Sequence, residues 1–246
     1  MPNYRFTLEY DGAGFKGWQA QAGGQRTVQD AFEAAIEQVT GQRLRVAASG
    51  RTDAGVHALG QVVSAQIETE LPPAALQPAL NHILPSDLAV VAADLAADDF
   101  HARYSAIGKL YCYRVWNDPT RSPLLTNRAH WVPRQLDLPA MSKAAEAFVG
   151  HHDFAALQAA GSEVESTLRT LKRLDVEWES PRELVFWAEA DGFLRHMVRN
   201  LVGTLLEVGS GRRSIESMTE LLACGDRRRA GPTAPAAGLS LVRVFY

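Results

Sequence analysis

The stretch Ser49-Gly50-Arg51-Thr52-Asp53-Ala54-Gly55-Val56-His57-Ala58 places an arginine, a carboxylate and a histidine within seven positions of a polar, glycine-bracketed segment. Glycine at 50 and 55 opens backbone angles closed to other residues, so a loop here folds tightly and still presents Asp53. A carboxylate presented in this way serves as a nucleophile or stabilises a developing charge. The same residues also describe a capped turn, because aspartate bonds its own backbone in turns and Arg51 stands ready to neutralise it. The loop alone does not choose between the two.

A second place where chemistry could sit is 193–208. Leu194, Met197, Val198, Leu201, Val202, Leu205 and Leu206 recur there at helical spacing. Arg195 and Arg199 are four apart, as are His196 and Asn200, which puts polar pairs on an element otherwise fit for burial. A guanidinium there is costly unless it meets a carboxylate. Asp53 is the candidate partner for Arg199, which would keep it ionised; the alternative is an Arg199 that snorkels to water. Tyr111 and Tyr113 share one face of a strand, either as core or as a surface on which unpaired bases stack. The run Arg227-Arg228-Arg229 reads as solvated surface. His151-His152-Asp153 lacks the spacing of a metal site, and no phosphate loop, dinucleotide fingerprint, Gly-x-Ser-x-Gly elbow or Cys-x-x-Cys pair occurs.

These residues need elements to hold them. Residues 4–10 alternate Phe6, Leu8 and Tyr10 with polar neighbours, the period of a half-buried strand. Thr27, with Asp30 three residues on, opens a helix whose apolar face is Val28, Phe32, Ala35, Ile36 and Val39, and Gly41 closes it. The segments 44–48 and 59–67 read as strands on either side of the Asp53 loop. A proline-started helix follows from residue 72, with Leu76, Ala79, Leu80 and Ile83 inward, and Pro85 stops it. Residues 88–92 form a further strand. The order β-α-β-β-α-β is the split ferredoxin-like unit.

After residue 106 the pattern restarts. A strand at 110–116 leads into a long ordered loop over 119–139, with a short strand near 129–132, and then a helix at 141–149. Strands at 168–178 and 184–190 are joined near Ser180-Pro181-Arg182. The 193–208 helix, a helix capped by Ser214 running to Cys224, and a strand at 239–245 complete the chain. The expectation is an α+β protein of two pseudo-symmetric ferredoxin-like lobes, residues 1–106 and 107–246, with a cleft where they meet.

The two cysteines, Cys112 and Cys224, form no framework, and no apolar run reaches the ~18 residues of a membrane span. With no apolar signal core after Met1, a cytoplasmic protein without membrane attachment is expected. The net charge of −3 argues mildly against a polyanion partner. A basic groove can still coexist with an acidic back, and Arg51, Arg103, Lys109, Arg114 and the arginines near the helix ends of the second lobe are the residues expected to line it.

The 49–58 motif resembles the catalytic-aspartate motif of the tRNA pseudouridine synthase A family. Tyr10-Asp11-Gly12, Phe15-Lys16-Gly17-Trp18-Gln19, Phe100-His101-Ala102-Arg103, Lys109-Leu110-Tyr111-Cys112-Tyr113, His152-Asp153-Phe154, residues 193–200 and residues 234–239 resemble the same family in order, across nearly the whole chain. The resemblance implies that Asp53 is the essential carboxylate and that Tyr111 stacks on the extruded uracil and helps take the C5 proton. It implies that Arg199 pairs with Asp53 and that Arg51 contacts the RNA. The implied partners are the tRNA anticodon arm and a second copy of the chain, with no nucleotide cofactor, no metal and no membrane. The isomerisation is redox-neutral and needs no cofactor. Attack at C1′, attack at C6 and a glycal route all remain open. A non-catalytic RNA binder has no use for a carboxylate at the centre of a positive cleft. A retaining nucleoside hydrolase wants a second carboxylate about 5–5.5 Å from the first, and the loop offers none.

Overall fold

The computed structural model describes residues 1–21, 23–159, 161 and 164–246. Along the chain run β1 (Asn3–Tyr10), α1 (Val28–Thr40), β2 (Ala47–Ala48), β3 (His57–Gln66), α2 (Pro73–Ile83) and β4 (Leu88–Ala96). Next come β5 (Gly108–Trp116), β6 (His130–Trp131), α3 (Leu138–Glu146), β7 (Gly150–Asp153), β8 (Leu168–Ser180) and β9 (Glu183–Ala190). The chain continues with α4 (Met197–Gly209), α5 (Ser217–Cys224) and β10 (Leu239–Phe245). It divides into two compact units, Met1–Ile107 with Ser240–Tyr246, and Gly108–Leu239.

The first unit is built as its polar–apolar alternation dictates. Tyr4, Phe6, Leu8 and Tyr10 on β1 are buried while Glu9 is exposed. α1 is capped as its sequence prescribes, with the Asp30 N–H donating to Thr27 Oγ1 at 3.2 Å and Gly41 in the left-handed region at φ 73°. Its Phe32 and Ile36 are fully buried, each contributing about 1.5–3 kcal/mol relative to exposure. β1 lies between β4 and β3, antiparallel to both, and β2 pairs antiparallel with β3. That arrangement is the ferredoxin-like one, with each helix crossing over an inserted strand. β2 is shorter than the 44–48 segment that was expected to form it.

β10 adds a further neighbour to β3, in parallel, with Ser240 opposite His57 and Leu241 opposite Ala58. The sequence order assigned 239–245 to the second lobe. Contacts place Ser240 onward in the first unit instead, because chain order carries no information about which edge a final strand meets.

In the second unit β5 pairs antiparallel with β9, β9 with β8 and β8 with β7. β5 is buried on both faces through Tyr111, Tyr113, Cys112 and Val115, and burial pushes the Cys112 thiol up to about 11. α3 and α4 pack on this sheet, and α4 is buried nearly all round, Asn200 and Thr204 included. The expected start of α4 at residue 193 is corrected to Met197. His196 sits at φ 62° as its N-cap, a backbone setting that ends helical geometry toward the N-terminus. Arg195 therefore lies outside the helix, and the expected Arg195–Arg199 and His196–Asn200 pairs do not share a helical face. α5 begins at Ser217 rather than beside Ser214, whose carbonyl accepts from Ser217 Oγ at 2.7 Å. Among the described residues no helix is long and apolar enough to cross a membrane.

Candidate active site

In the first unit the Asp53 loop hangs between β2 and β3 and is held by groups beneath it. Buried Tyr10 shares a hydrogen bond of 2.8 Å with Thr52 Oγ1, and burial pushes the Tyr10 hydroxyl up to about 12 against the opposing bonds from Thr52 and Gln61. Fully buried Gln61 accepts from Ser49 Oγ (2.7 Å) and donates to the Gly50 carbonyl (2.8 Å). The Trp18 N–H donates to the Thr52 carbonyl at 3.0 Å, and the Val56 N–H closes a turn on the Asp53 carbonyl at 3.1 Å.

Two glycines are required by close approach. A Cβ on Gly12 would stand 2.0 Å from the Val56 carbonyl oxygen. One on Gly17, at φ 91°, would stand 2.9 Å from the Thr52 carbonyl oxygen. His57 anchors the far end of the loop. The Gly12 N–H donates to its Nδ1 at 3.0 Å, and Asp11 Oδ1 lies 3.1 Å from the same nitrogen. The ring nitrogen accepts in the first contact and donates in the second, so the two contacts alternate. Asp53 is half-buried and Arg51 exposed. Backbone and buried side chains thus hold the loop around half-buried Asp53, while Arg51 stays in water.

In the second unit Tyr111 is buried on β5 and meets Phe193 edge-on, with ring centroids 5.1 Å apart. Half-buried Arg199, in the first turn of α4, donates from Nε to the Ala234 carbonyl at 2.7 Å. The Ala234 N–H returns a bond of 3.1 Å to the Arg199 carbonyl. The fully buried Tyr113 donates from its hydroxyl to the Pro235 carbonyl at 2.8 Å. Burial pushes that phenol well up, with the Arg199 charge pulling the other way.

The basic residues divide. Arg114 is held by Glu183 at 2.6 Å and by Glu179, and those bonds outweigh burial and raise its guanidinium. Its charge is spent inside the protein, contrary to the expected basic lining. Arg103 is exposed, 5.7 Å from the centroid of the exposed Tyr104 ring. Among the described residues no group of three or more His, Cys, Asp or Glu side chains is placed to hold a metal ion.

Sequence reasoning missed the parts beneath the loop, Tyr10 and Gln61, and the bonds that join residues 227–235 to α4. Tyr10 obeys the period of a core strand and lies in the Tyr10-Asp11-Gly12 stretch that resembles the family, and neither signal points to its bond with Thr52.

Residues 7–105 and 144–246 match the family model described as tRNA pseudouridine synthase. A tRNA pseudouridine synthase A from Paramagnetospirillum magneticum is 46% identical over 100% of this chain and 96% of its own length. One from Myxococcus xanthus is 47% identical over 100% and 92%, and a tRNA pseudouridine synthase A 2 from Clostridium perfringens is 40% identical over the whole of both chains. Matches of this extent fix the class first, the pseudouridine synthases, whose reaction is an isomerisation. Within that class, the chain belongs to the tRNA pseudouridine synthase family.

Proposed function

We propose that this protein isomerises uridine to pseudouridine in the anticodon stem-loop of tRNA, with Asp53 as the essential carboxylate. The observation that carries the reading is the support under the Asp53 loop. From within the core, Tyr10 holds the Thr52 hydroxyl, Gln61 the Gly50 carbonyl and the Trp18 N–H the Thr52 carbonyl, all on the segment that leads into Asp53. A turn needed only to reverse the chain has no use for so many buried polar partners, whereas a catalytic carboxylate does, because electrostatic catalysis requires groups fixed before the charge develops.

The reaction breaks the N1–C1′ bond, turns the uracil and joins C5 to C1′. The C5 proton is lost, and N1 gains one. Asp53 acts on the nucleotide through its carboxylate, and Arg199 is the guanidinium that pairs with it. Tyr111 offers the ring on which the extruded base stacks and helps take the C5 proton; extrusion itself costs a few kcal/mol. Exposed Arg51 contacts the RNA backbone. The enzyme works as a cytoplasmic homodimer on one tRNA.

The test uses an unmodified tRNA transcript tritiated at uracil C5. Wild-type protein is expected to release label without releasing free uracil, and Asp53→Ala to lose about a thousandfold or more in rate. Free uracil in the products would instead point to hydrolysis, and no release from any tRNA would end the enzymatic reading.

A further inference from the structure

Arg199 is as useful as its aim is steady, and the chain supplies an unusual amount of structure to steady it. The acceptor of its Nε–H, the Ala234 carbonyl, belongs to an irregular strap, residues 231–235, that precedes β10. Irregular backbone holds its place only if its polar groups and its neighbours fix it. A cavity of about 380 Å³ borders 232–235, so the strap is not clamped by packing on every side.

Hydrogen bonds do the holding. Fully buried Asn200, one residue after Arg199 on α4, donates from Nδ2 to the Leu157 carbonyl at 2.7 Å. Its Oδ1 accepts from Thr233 Oγ1 (2.7 Å) and from Arg227 Nη2 (3.0 Å). Arg227 also donates to Thr233 Oγ1 (3.0 Å) and, through Nη1, to the Gly231 carbonyl (2.9 Å). Every polar group of Asn200 is used, and the Thr233 hydroxyl donates once and accepts once. One turn further along α4, buried Thr204 Oγ1 accepts from the Gly231 N–H at 3.0 Å.

Arg227 differs from the arginines beside it. Arg228 pairs with Asp226 and Arg229 with Glu220, both at the surface. Arg227 turns inward to an amide, a hydroxyl and a carbonyl, and among the described residues none of its partners is a carboxylate. Burial accordingly pulls its guanidinium down from the ordinary value. Putting a cation on neutral acceptors is a costly way to tie down a loop. What it ties down is the segment that carries the Ala234 carbonyl.

We infer that Arg227, Asn200 and Thr233 are positioning residues for Arg199: they lock the 231–235 strap onto α4 so that the Ala234 carbonyl fixes the direction of the Arg199 guanidinium. This rests on the catalytic reading of Arg199 given above and adds the groups that make the reading work. None of the three need touch the RNA.

The experiment compares wild type, Arg199→Met, Arg227→Gln, Thr233→Val and Thr233→Ser in the full-length protein. The single-turnover tritium release, the tRNA affinity by filter binding and the thermal midpoint are measured for each. Hydrogen exchange of the Arg199 Nε–H by ¹⁵N NMR reports the device without any catalysis. Arg227→Gln and Thr233→Val are expected to slow single turnover by about ten- to a hundredfold, the scale of a slightly misplaced catalytic group. Their tRNA affinity should be unchanged and their Arg199 Nε–H exchange faster. Thr233→Ser, which keeps the hydroxyl, is expected to restore both rate and protection. If Arg227→Gln does not fold, Thr233→Val decides, because it exchanges a hydroxyl for a methyl of similar size. A folded Thr233→Val with wild-type turnover and protection overturns the inference while leaving the function standing, as does a loss of turnover matched by loss of binding. Wild-type activity in Arg199→Met removes the role of Arg199 and this inference with it. An inert wild type removes the proposed reaction itself.

Discussion

Tyr10 shows how a residue of the core can serve the site without reaching it. Its ring fills the interior beside Phe15 and Trp18, and only its hydroxyl meets Thr52, the residue preceding Asp53. Tyr10→Phe keeps the ring and deletes that partner, leaving the Thr52 hydroxyl buried without it. The expected cost is about 1–2 kcal/mol, which in a chain of this size lowers the melting temperature by about 2–4 °C per kcal/mol. Calorimetry measures that loss. Tritium release should fall by more than the small unfolded fraction accounts for, because the loop that carries Asp53 loses its underpinning. Equal activity in a measurably less stable variant would show that the hydroxyl serves folding alone. Arg227 makes the complementary point: three adjacent arginines are indistinguishable as letters, and which one turns inward depends on where Gly231 and Thr233 come to lie.

At the scale of elements, α4 and its strap meet backbone to backbone. A Cβ on Gly203 would stand 1.7 Å from the Pro232 carbonyl oxygen, backbone against backbone. Gly203→Ala is expected to push the strap off the helix at a cost of about 1–3 kcal/mol or more, with turnover lost beyond the loss of stability; thermal unfolding and tritium release together separate the two effects. Much of this architecture could be read in advance. The caps and apolar stripe of α1, the alternation of β1 and the β8–β9 pair follow from local periodicity, which side chains announce directly. Other features escape such a reading. α4 starts at Met197 because His196 takes a left-handed conformation, a local choice that the apolar spacing of 193–208 overrides on paper. β7 was missed because Gly150-His151-His152-Asp153 shows no apolar alternation; it is a strand by virtue of hydrogen bonds to β8. The Asp53 loop stands out in the sequence by its residue types, but the groups that hold it lie far away in sequence, at Tyr10, Trp18 and Gln61.

For the molecule as a whole, a net charge of −3 must be reconciled with a polyanionic substrate. The reconciliation lies in which cations are already spoken for. Arg114 is neutralised by Glu179 and Glu183, whereas Arg51 is exposed. In tRNA binding measured across a salt series, Arg51→Ala is expected to weaken affinity and to reduce the slope of log affinity against log salt by about one. Arg114→Ala should leave the slope unchanged. A slope that responds to Arg114 and not to Arg51 would reverse the assignment of RNA contacts. The return of the chain to its first unit carries a consequence of another kind. β10 pairs with His57 and Ala58, at the root of the Asp53 loop, and Gly60 lies against Val242 so closely that a Cβ would stand 2.5 Å from its carbonyl oxygen. Residues 240–246 are translated only after all of the second unit. A nascent chain therefore emerges from the ribosome with its carboxylate loop unfinished, and the root of that loop gains its last neighbour only when synthesis reaches the final strand.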